Sequence, residues 1–153
     1  MSGELTLVIT KKNWSMTYYR NGEMITRSAG RDLALMKTDF KGFAYNDTDA
    51  EETYMRQMLS LSVGELVYGT GERFTPFVKN GQSIDIWNAD GGTSTEQSYK
   101  NIPFFITNKG YGVLINHPEK VSIEVATEMV TRTEFSVPGG YLGYLTNILH
   151  KSP

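Results

Sequence analysis

A polar, glycine-broken segment between two β-rich stretches holds many of the side chains in this sequence that could contact a ligand. It runs from Trp87 to Gln97 (WNADGGTSTEQ) and combines an aromatic ring, amide groups, two carboxylates and three hydroxyls. Loops on a rigid scaffold often hold such side chains toward a ligand. A partner made mostly of hydroxyl groups suits this set, so the segment predicts a loop that contacts a sugar.

Catalysis by this segment alone would need groups that converge. A retaining glycosidase uses two carboxylates about 5 to 5.5 Å apart, and the acidic residues near the loop are Asp85, Asp90 and Glu96. Their spacing sets no such distance, and acidic loop residues are usually solvated. His117 and His150 have no serine or cysteine partner in a recognisable nucleophile motif. We expect His117 to shape a turn or to bind backbone, and we predict no catalytic residue.

The segment Gly69-Thr70-Gly71-Glu72-Arg73-Phe74 superficially resembles a phosphate-binding or dinucleotide-binding loop. The third glycine of that motif is replaced by Phe74, and Thr75-Pro76 follows where a helix should begin. We therefore interpret the two glycines as a bend or bulge at a strand end. Glu72 and Arg73 should form a local ion pair or hydrogen bonds to nearby backbone.

Length and composition exclude several classes of protein. A chain of 153 residues suffices for one domain, and a net charge of −2 with both signs scattered gives no basic footprint for nucleic acid. There is no cysteine and the two histidines lie far apart, so we expect no disulfide, no zinc and no cofactor. No apolar run approaches the ~18 residues of a membrane helix. We expect a cytoplasmic protein without a membrane partner.

Short β-rich runs separated by turn residues extend along almost the whole chain. The clearest unit is a hairpin, in which Asn21-Gly22 favours a type I′ turn between residues 14–20 and 23–27. No segment keeps a convincing helical period. Two packed antiparallel sheets, a β-sandwich, are favoured over a closed barrel. Further strands are predicted at 5–10, 33–36, 54–61, 66–68, 83–87, 104–107, 112–116, 122–126 and 132–137.

Two longer stretches carry a resemblance to a known family. They are VYGTGERF at 67–74 and WNADGGTSTEQSYKNIPF at 87–104, and the similarity continues through NKGYGVLINHP at 108–118. Together they resemble the N-terminal domain of glycoside hydrolase family 31, and the second stretch resembles its bacterial α-xylosidase branch. The resemblance covers roughly residues 5–144 of the sequence.

The resemblance implies an α-glycosidase whose galactose-mutarotase-like β-sandwich packs against a (β/α)₈ barrel that holds both catalytic aspartates. A loop of the sandwich helps to recognise the sugar, and Asp90 matches its acidic member. Asp90 is therefore the leading candidate for substrate contact. Trp87 could offer a stacking face and Thr93 a hydroxyl, although Trp87 could instead be a core aromatic and Thr93 a turn residue.

The sequence also departs from the family. It begins inside the usual N-terminal domain, stops before the barrel, and loses the family pattern after Tyr144. We therefore expect a sandwich domain at 1–144, a divergent tail at 145–153, and no activity of this chain alone. The alternative is a free-standing module that binds an α-linked sugar weakly or forms homo-oligomers. Phe104, Phe105 and Tyr111 could contribute to such assembly, although core packing is the safer assignment.

Overall fold

The computed structural model describes residues 3–38, 52–88 and 100–149 and shows an all-β fold. Every strand pair in it is antiparallel. The strands are β1 Leu5–Thr10, β2 Ser15–Arg20, β3 Glu23–Ala29, β4 Leu33–Thr38, β5 Glu52–Ser60, β6 Val67–Gly71, β7 Gln82–Ile86, β8 Asn101–Thr107, β9 Tyr111–Asn116, β10 Val121–Val125, β11 Arg132–Pro138 and β12 Gly143–Ile148. A 3₁₀ turn, Gly30–Asp32, precedes β4. Among the described residues, no helix has the length and apolar character needed to cross a membrane.

The strands form three sheets, with orders β1-β2-β3, β4-β5-β11-β10-β7 and β12-β9-β8-β6. In β10 and β11, buried and partly exposed residues alternate along the strand, as expected when one face of a sheet is covered. Buried side chains of the five-stranded and four-stranded sheets join one hydrophobic cluster. The fully buried apolar members are Leu59, Val67, Phe105, Tyr111, Val113, Ile115, Val121, Ile123, Val125, Phe135 and Val137. Each contributes roughly 1.5–3 kcal/mol by leaving water, and the predicted β-sandwich is confirmed.

The predicted hairpin is present as β2 and β3. Asn21 has φ 49° and Gly22 has φ 84°, so both turn residues lie in the left-handed region that a type I′ turn requires. The hairpin attaches to the sandwich because Tyr18 joins the core and its hydroxyl hydrogen-bonds that of Tyr144 at 2.9 Å. The Thr26 hydroxyl also donates to the carbonyl of Ser60 at 2.9 Å.

Two assignments from sequence are refined by the fold. The boundary drawn at residue 144 falls inside β12, which pairs with β9 from Gly143↔Asn116 to Ile148↔Tyr111. The segment 145–148 is thus part of a sheet edge. Phe105 and Tyr111 are 0% and 1% exposed, which confirms the core assignment for both and contradicts a role for them in an assembly surface.

Candidate functional site

The two ends of the connection between β7 and β8 are held together by Asn101, the first residue of β8. Its backbone N–H donates to the Asn88 Oδ1 at 2.9 Å, and its Nδ2 donates to the carbonyl of Trp87 at 2.8 Å. We call the three residues Trp87, Asn88 and Asn101 the loop clasp. The clasp fixes where the polar segment leaves the sheet and where it returns.

Arg73, two residues after the end of β6, also holds the clasp in place. Its Nη2 donates both to the carbonyl of Asp85 and to the Oδ1 of Asn101, so one guanidinium contacts the end of β7 and the start of β8. The fixed fork of donors on arginine suits two acceptors at once. The expected backbone hydrogen bond of Arg73 is confirmed, whereas Glu72 pairs with Lys100 at 3.1 Å. Both members of that ion pair are exposed, so it contributes little to stability.

The glycine motif before Arg73 permits a close approach of two backbones. The β6–β8 register shifts between Gly69 and Gly71, and Thr70 between them has φ 70°. A Cβ on Gly71 would lie 2.0 Å from the carbonyl oxygen of Lys100. The predicted bulge is confirmed. It brings the end of β6 close to Lys100, the last residue of the 87–100 connection.

Lys79 fixes the segment that follows Arg73. It is 4% exposed, and its Nζ donates to the Thr75 hydroxyl at 2.9 Å and to the Pro76 carbonyl at 2.8 Å. Burial lowers the pKa of Lys79, and the positive charge of Arg73 lowers it further. The hydrogen bonds of the buried Lys79 therefore hold the connection between β6 and β7 in place, and this limits the positions that Arg73 can adopt.

A cleft of about 250 Å³ opens beside the clasp, between the end of β7 and the turn from β9 to β10. We call it the rim cleft. It is lined by Ile86, Trp87, Asn88, Asn101, Pro103, His117, Pro118, Glu119 and Val121. Ile86 and Val121 are paired across β7 and β10 and are 6% and 1% exposed, so they form a buried apolar base.

His117 shapes the turn that forms one side of the rim cleft. Its Nδ1 accepts the backbone N–H of Glu119 at 3.3 Å, which confirms the predicted turn role. In a neutral imidazole that accepts at Nδ1, the proton lies on Nε2. His117 thus also brings a donor to the cleft lining.

The candidate residues from the sequence have different outcomes. Trp87 is 57% exposed and lines the rim cleft, so its core alternative is wrong. Asp90 and Thr93 lie outside the described residues, as does Glu96. Asp85 is exposed on β7 and pairs with Lys120 at 2.7 Å. No cluster of His, Asp or Glu suited to a metal ion occurs within 3–38, 52–88 and 100–149.

The sequence profile of the glycosyl hydrolase 31 N-terminal galactose mutarotase-like domain matches residues 2–124. The chain belongs to this family. Its membership accounts for the all-β fold, and Arg73 of the GTGERF motif contacts the clasp at Asn101. Residues that the sequence interpretation missed are Asn101, which lies in the 87–104 stretch but received no role, and Glu119, which directly follows the 108–118 stretch.

Relatives of this family-31 domain include two α-xylosidases. One, from Lactiplantibacillus pentosus, is 42% identical over 144 residues, covering 94% of this chain and 18% of the relative. The other, from Emericella nidulans, is 62% identical over 91 residues, covering 60% of this chain and 12% of the relative. The chain thus spans less than a fifth of the length of either protein.

Solved structures of other proteins share the fold. A cycloalternan-forming enzyme from Listeria monocytogenes superposes with a TM-score of 0.78 at 18% identity, over 99% of this chain and 14% of that one. A xylosidase from Aspergillus niger gives a TM-score of 0.66 at 21% identity, over 95% and 20%. At such identities the likeness supports the fold alone.

Proposed function

We propose that this chain is the N-terminal domain of an α-xylosidase-like or α-glucosidase-like glycoside hydrolase that cleaves O-glycosyl bonds of α-linked sugars. In this proposal it supplies a scaffold and a substrate-recognition loop to a catalytic barrel outside its 153 residues. The two α-xylosidase relatives support the choice of substrate class. We further propose a cytoplasmic location, in keeping with a sequence that has no cysteine to form disulfides.

The observation that carries the proposal is the loop clasp. Asn101 donates hydrogen bonds to Trp87 and Asn88. Arg73 donates hydrogen bonds to Asp85 and Asn101, so both ends of one polar connection are held. These bonds hold the two ends of that connection in fixed positions. Function-bearing side chains require a fixed base because a displacement of about 1 Å at a binding site can lower a rate 10²-fold.

Asp90 is the proposed sugar contact on this loop. A carboxylate accepts hydrogen bonds from sugar hydroxyls, and such charge-assisted bonds are stronger than neutral ones. Hydrogen bonds to charged groups contribute about 1.5–3 kcal/mol each. Loss of one such bond corresponds to roughly a 10- to 150-fold loss of transition-state stabilisation, at 1.4 kcal/mol per factor of ten.

A chimera tests this function. The matching N-terminal region of the Emericella nidulans α-xylosidase is replaced by this chain, and hydrolysis of an aryl α-xyloside and an aryl α-glucoside is measured. We expect the chimera to cleave one of the two substrates. We expect Asp90→Ala to lower kcat/KM by about 10- to 150-fold, and Asp85→Ala, which changes an exposed residue of β7, to leave it unchanged.

The proposal fails if the chimera is folded and active while Asp90→Ala and Asp85→Ala behave alike. It also fails if the folded chimera hydrolyses neither substrate although the unmodified parent enzyme does so in the same assay. Circular dichroism and gel filtration of each variant separate misfolding from loss of recognition.

A second candidate function is self-association, and strand β1 favours it. β1 lies at the edge of its sheet, and Leu7, Val8 and Ile9 are 41%, 46% and 49% exposed. Exposed apolar edge strands readily pair with another chain. Sedimentation velocity tests this reading: a dimer that Val8→Lys converts to a monomer supports it, and a monomer at all concentrations contradicts it.

A further inference from the structure

We propose that the rim cleft binds one neutral pyranose ring, and that Glu119 and His117 recognise its hydroxyl groups. The choice of a sugar as ligand rests on the proposed function. The location rests on the geometry of described residues from β7, β8, β10 and the β9–β10 turn, together with Trp87 and Asn88 at the start of the segment that carries Asp90.

The base and walls of the rim cleft are apolar. Ile86 and Val121 form its buried base, and Pro103 and Pro118 line it without any backbone N–H to satisfy. Trp87 adds an aromatic ring that is 57% exposed, although Trp is highly buried on average. These surfaces suit the C–H faces of a pyranose, which are apolar while its edges carry hydroxyls.

The polar groups of the cleft offer both donors and an acceptor. His117 accepts at Nδ1 and therefore carries its proton on Nε2 in the neutral form. Asn88 accepts at Oδ1 from the clasp, and its Nδ2 carries two N–H donors. Glu119 adds an exposed carboxylate acceptor. A hydroxyl both donates and accepts, so this combination matches adjacent hydroxyls of a sugar.

Charge and size narrow the ligand further. Among the described residues, the lining of the rim cleft includes one carboxylate and neither Lys nor Arg, which disfavours phosphates and sugar acids. The space of about 250 Å³ is enough for one small ring.

Tryptophan fluorescence tests the proposal on the 153-residue chain itself. The sequence contains two tryptophans, so a Trp14→Phe background leaves Trp87 as the reporter. We expect a saturable change with D-xylose and methyl α-D-xyloside, with a dissociation constant on the order of 1 mM. D-glucuronate, a pyranose that carries a negative charge, should cause none. Glu119→Gln should weaken binding by about ten-fold, and His117→Phe should weaken it as well.

The control is Glu23→Gln, which changes an exposed carboxylate of the β2–β3 hairpin outside the cleft lining and should leave binding unchanged. The proposal is overturned if neither sugar gives a saturable change, or if Glu119→Gln and His117→Phe both bind as the parent does. Binding that Asp90→Ala abolishes while Glu119→Gln retains it would also overturn the proposal, since the loop would then be the site. In each of these cases the chimera assay still decides the proposed function independently.

Discussion

Gly71→Ala should destabilise the protein far more than the same substitution at Gly22. Both glycines have positive φ, 90° and 84°, so alanine costs about 1–2 kcal/mol at each. Around Gly22 nothing lies within 4 Å of the added Cβ, whereas at Gly71 the Cβ would lie 2.0 Å from the Lys100 carbonyl oxygen. Both atoms belong to backbone, so a strand must move. That movement strains the 3.0 Å hydrogen bond from Glu72 N–H to the same carbonyl.

The expected loss of unfolding free energy is about 1–2 kcal/mol for Gly22→Ala and at least about 3 kcal/mol for Gly71→Ala, in the range of severe backbone substitutions. Urea denaturation followed by circular dichroism measures both, and the difference of at least about 1–2 kcal/mol corresponds to a midpoint difference of at least roughly 0.5–1 M at an m value of about 2 kcal/mol per M. Equal losses, within about 0.5 kcal/mol, would refute the close approach of β6 to the clasp.

Three further predictions follow from described contacts. Burial raises the pKa of Tyr111 and Tyr144 far above the usual value, so the unfolded chain ionises first and each group should lower stability by about 1.4 kcal/mol per unit as pH rises above about 10. Tyr144→Phe should therefore reduce the slope by about 1.4 kcal/mol per pH unit in urea titrations at stepped pH. Tyr111→Phe removes the 2.7 Å hydrogen bond to Glu65 and should lower the free energy of unfolding by about 1.5–3 kcal/mol at neutral pH. Thermal unfolding of Tyr111→Phe, with Tyr144→Phe measured alongside, checks this loss. Asn101→Ala should lower stability by about 1–2 kcal/mol and shift Trp87 emission, whereas unchanged emission would contradict the clasp.

Much of the fold was predictable because its signals are local. Asn21-Gly22 specifies its turn through backbone preference, and the alternation of apolar residues specifies which face of β10 and β11 is buried. Strand β12 was missed because its burial pattern is weak, with no residue fully buried. Its pairing with β9 depends on a neighbour more than 25 positions away, which no local pattern reports.

The candidate site was less predictable for the same reason. Exposure of Trp87 follows from strand parity, since Ile84 and Ile86 face the core and the next residue does not. The role of Asn101 could not be read from its neighbours, because Arg73 reaches it across 28 positions and Trp87 across 14. The family resemblance pointed to the loop. The residues that anchor the two ends of the loop could be identified only from the fold.

The central claim is that this chain contributes recognition and scaffold, with the catalytic groups lying elsewhere. The most direct measurement is hydrolysis of an aryl α-xyloside and an aryl α-glucoside by the purified 153-residue chain, with Asp90→Ala alongside. The account predicts no turnover above the blank for either protein, in a preparation whose fold circular dichroism confirms. Turnover by the parent chain that Asp90→Ala abolishes would contradict it, because a catalytic site would then lie within this chain.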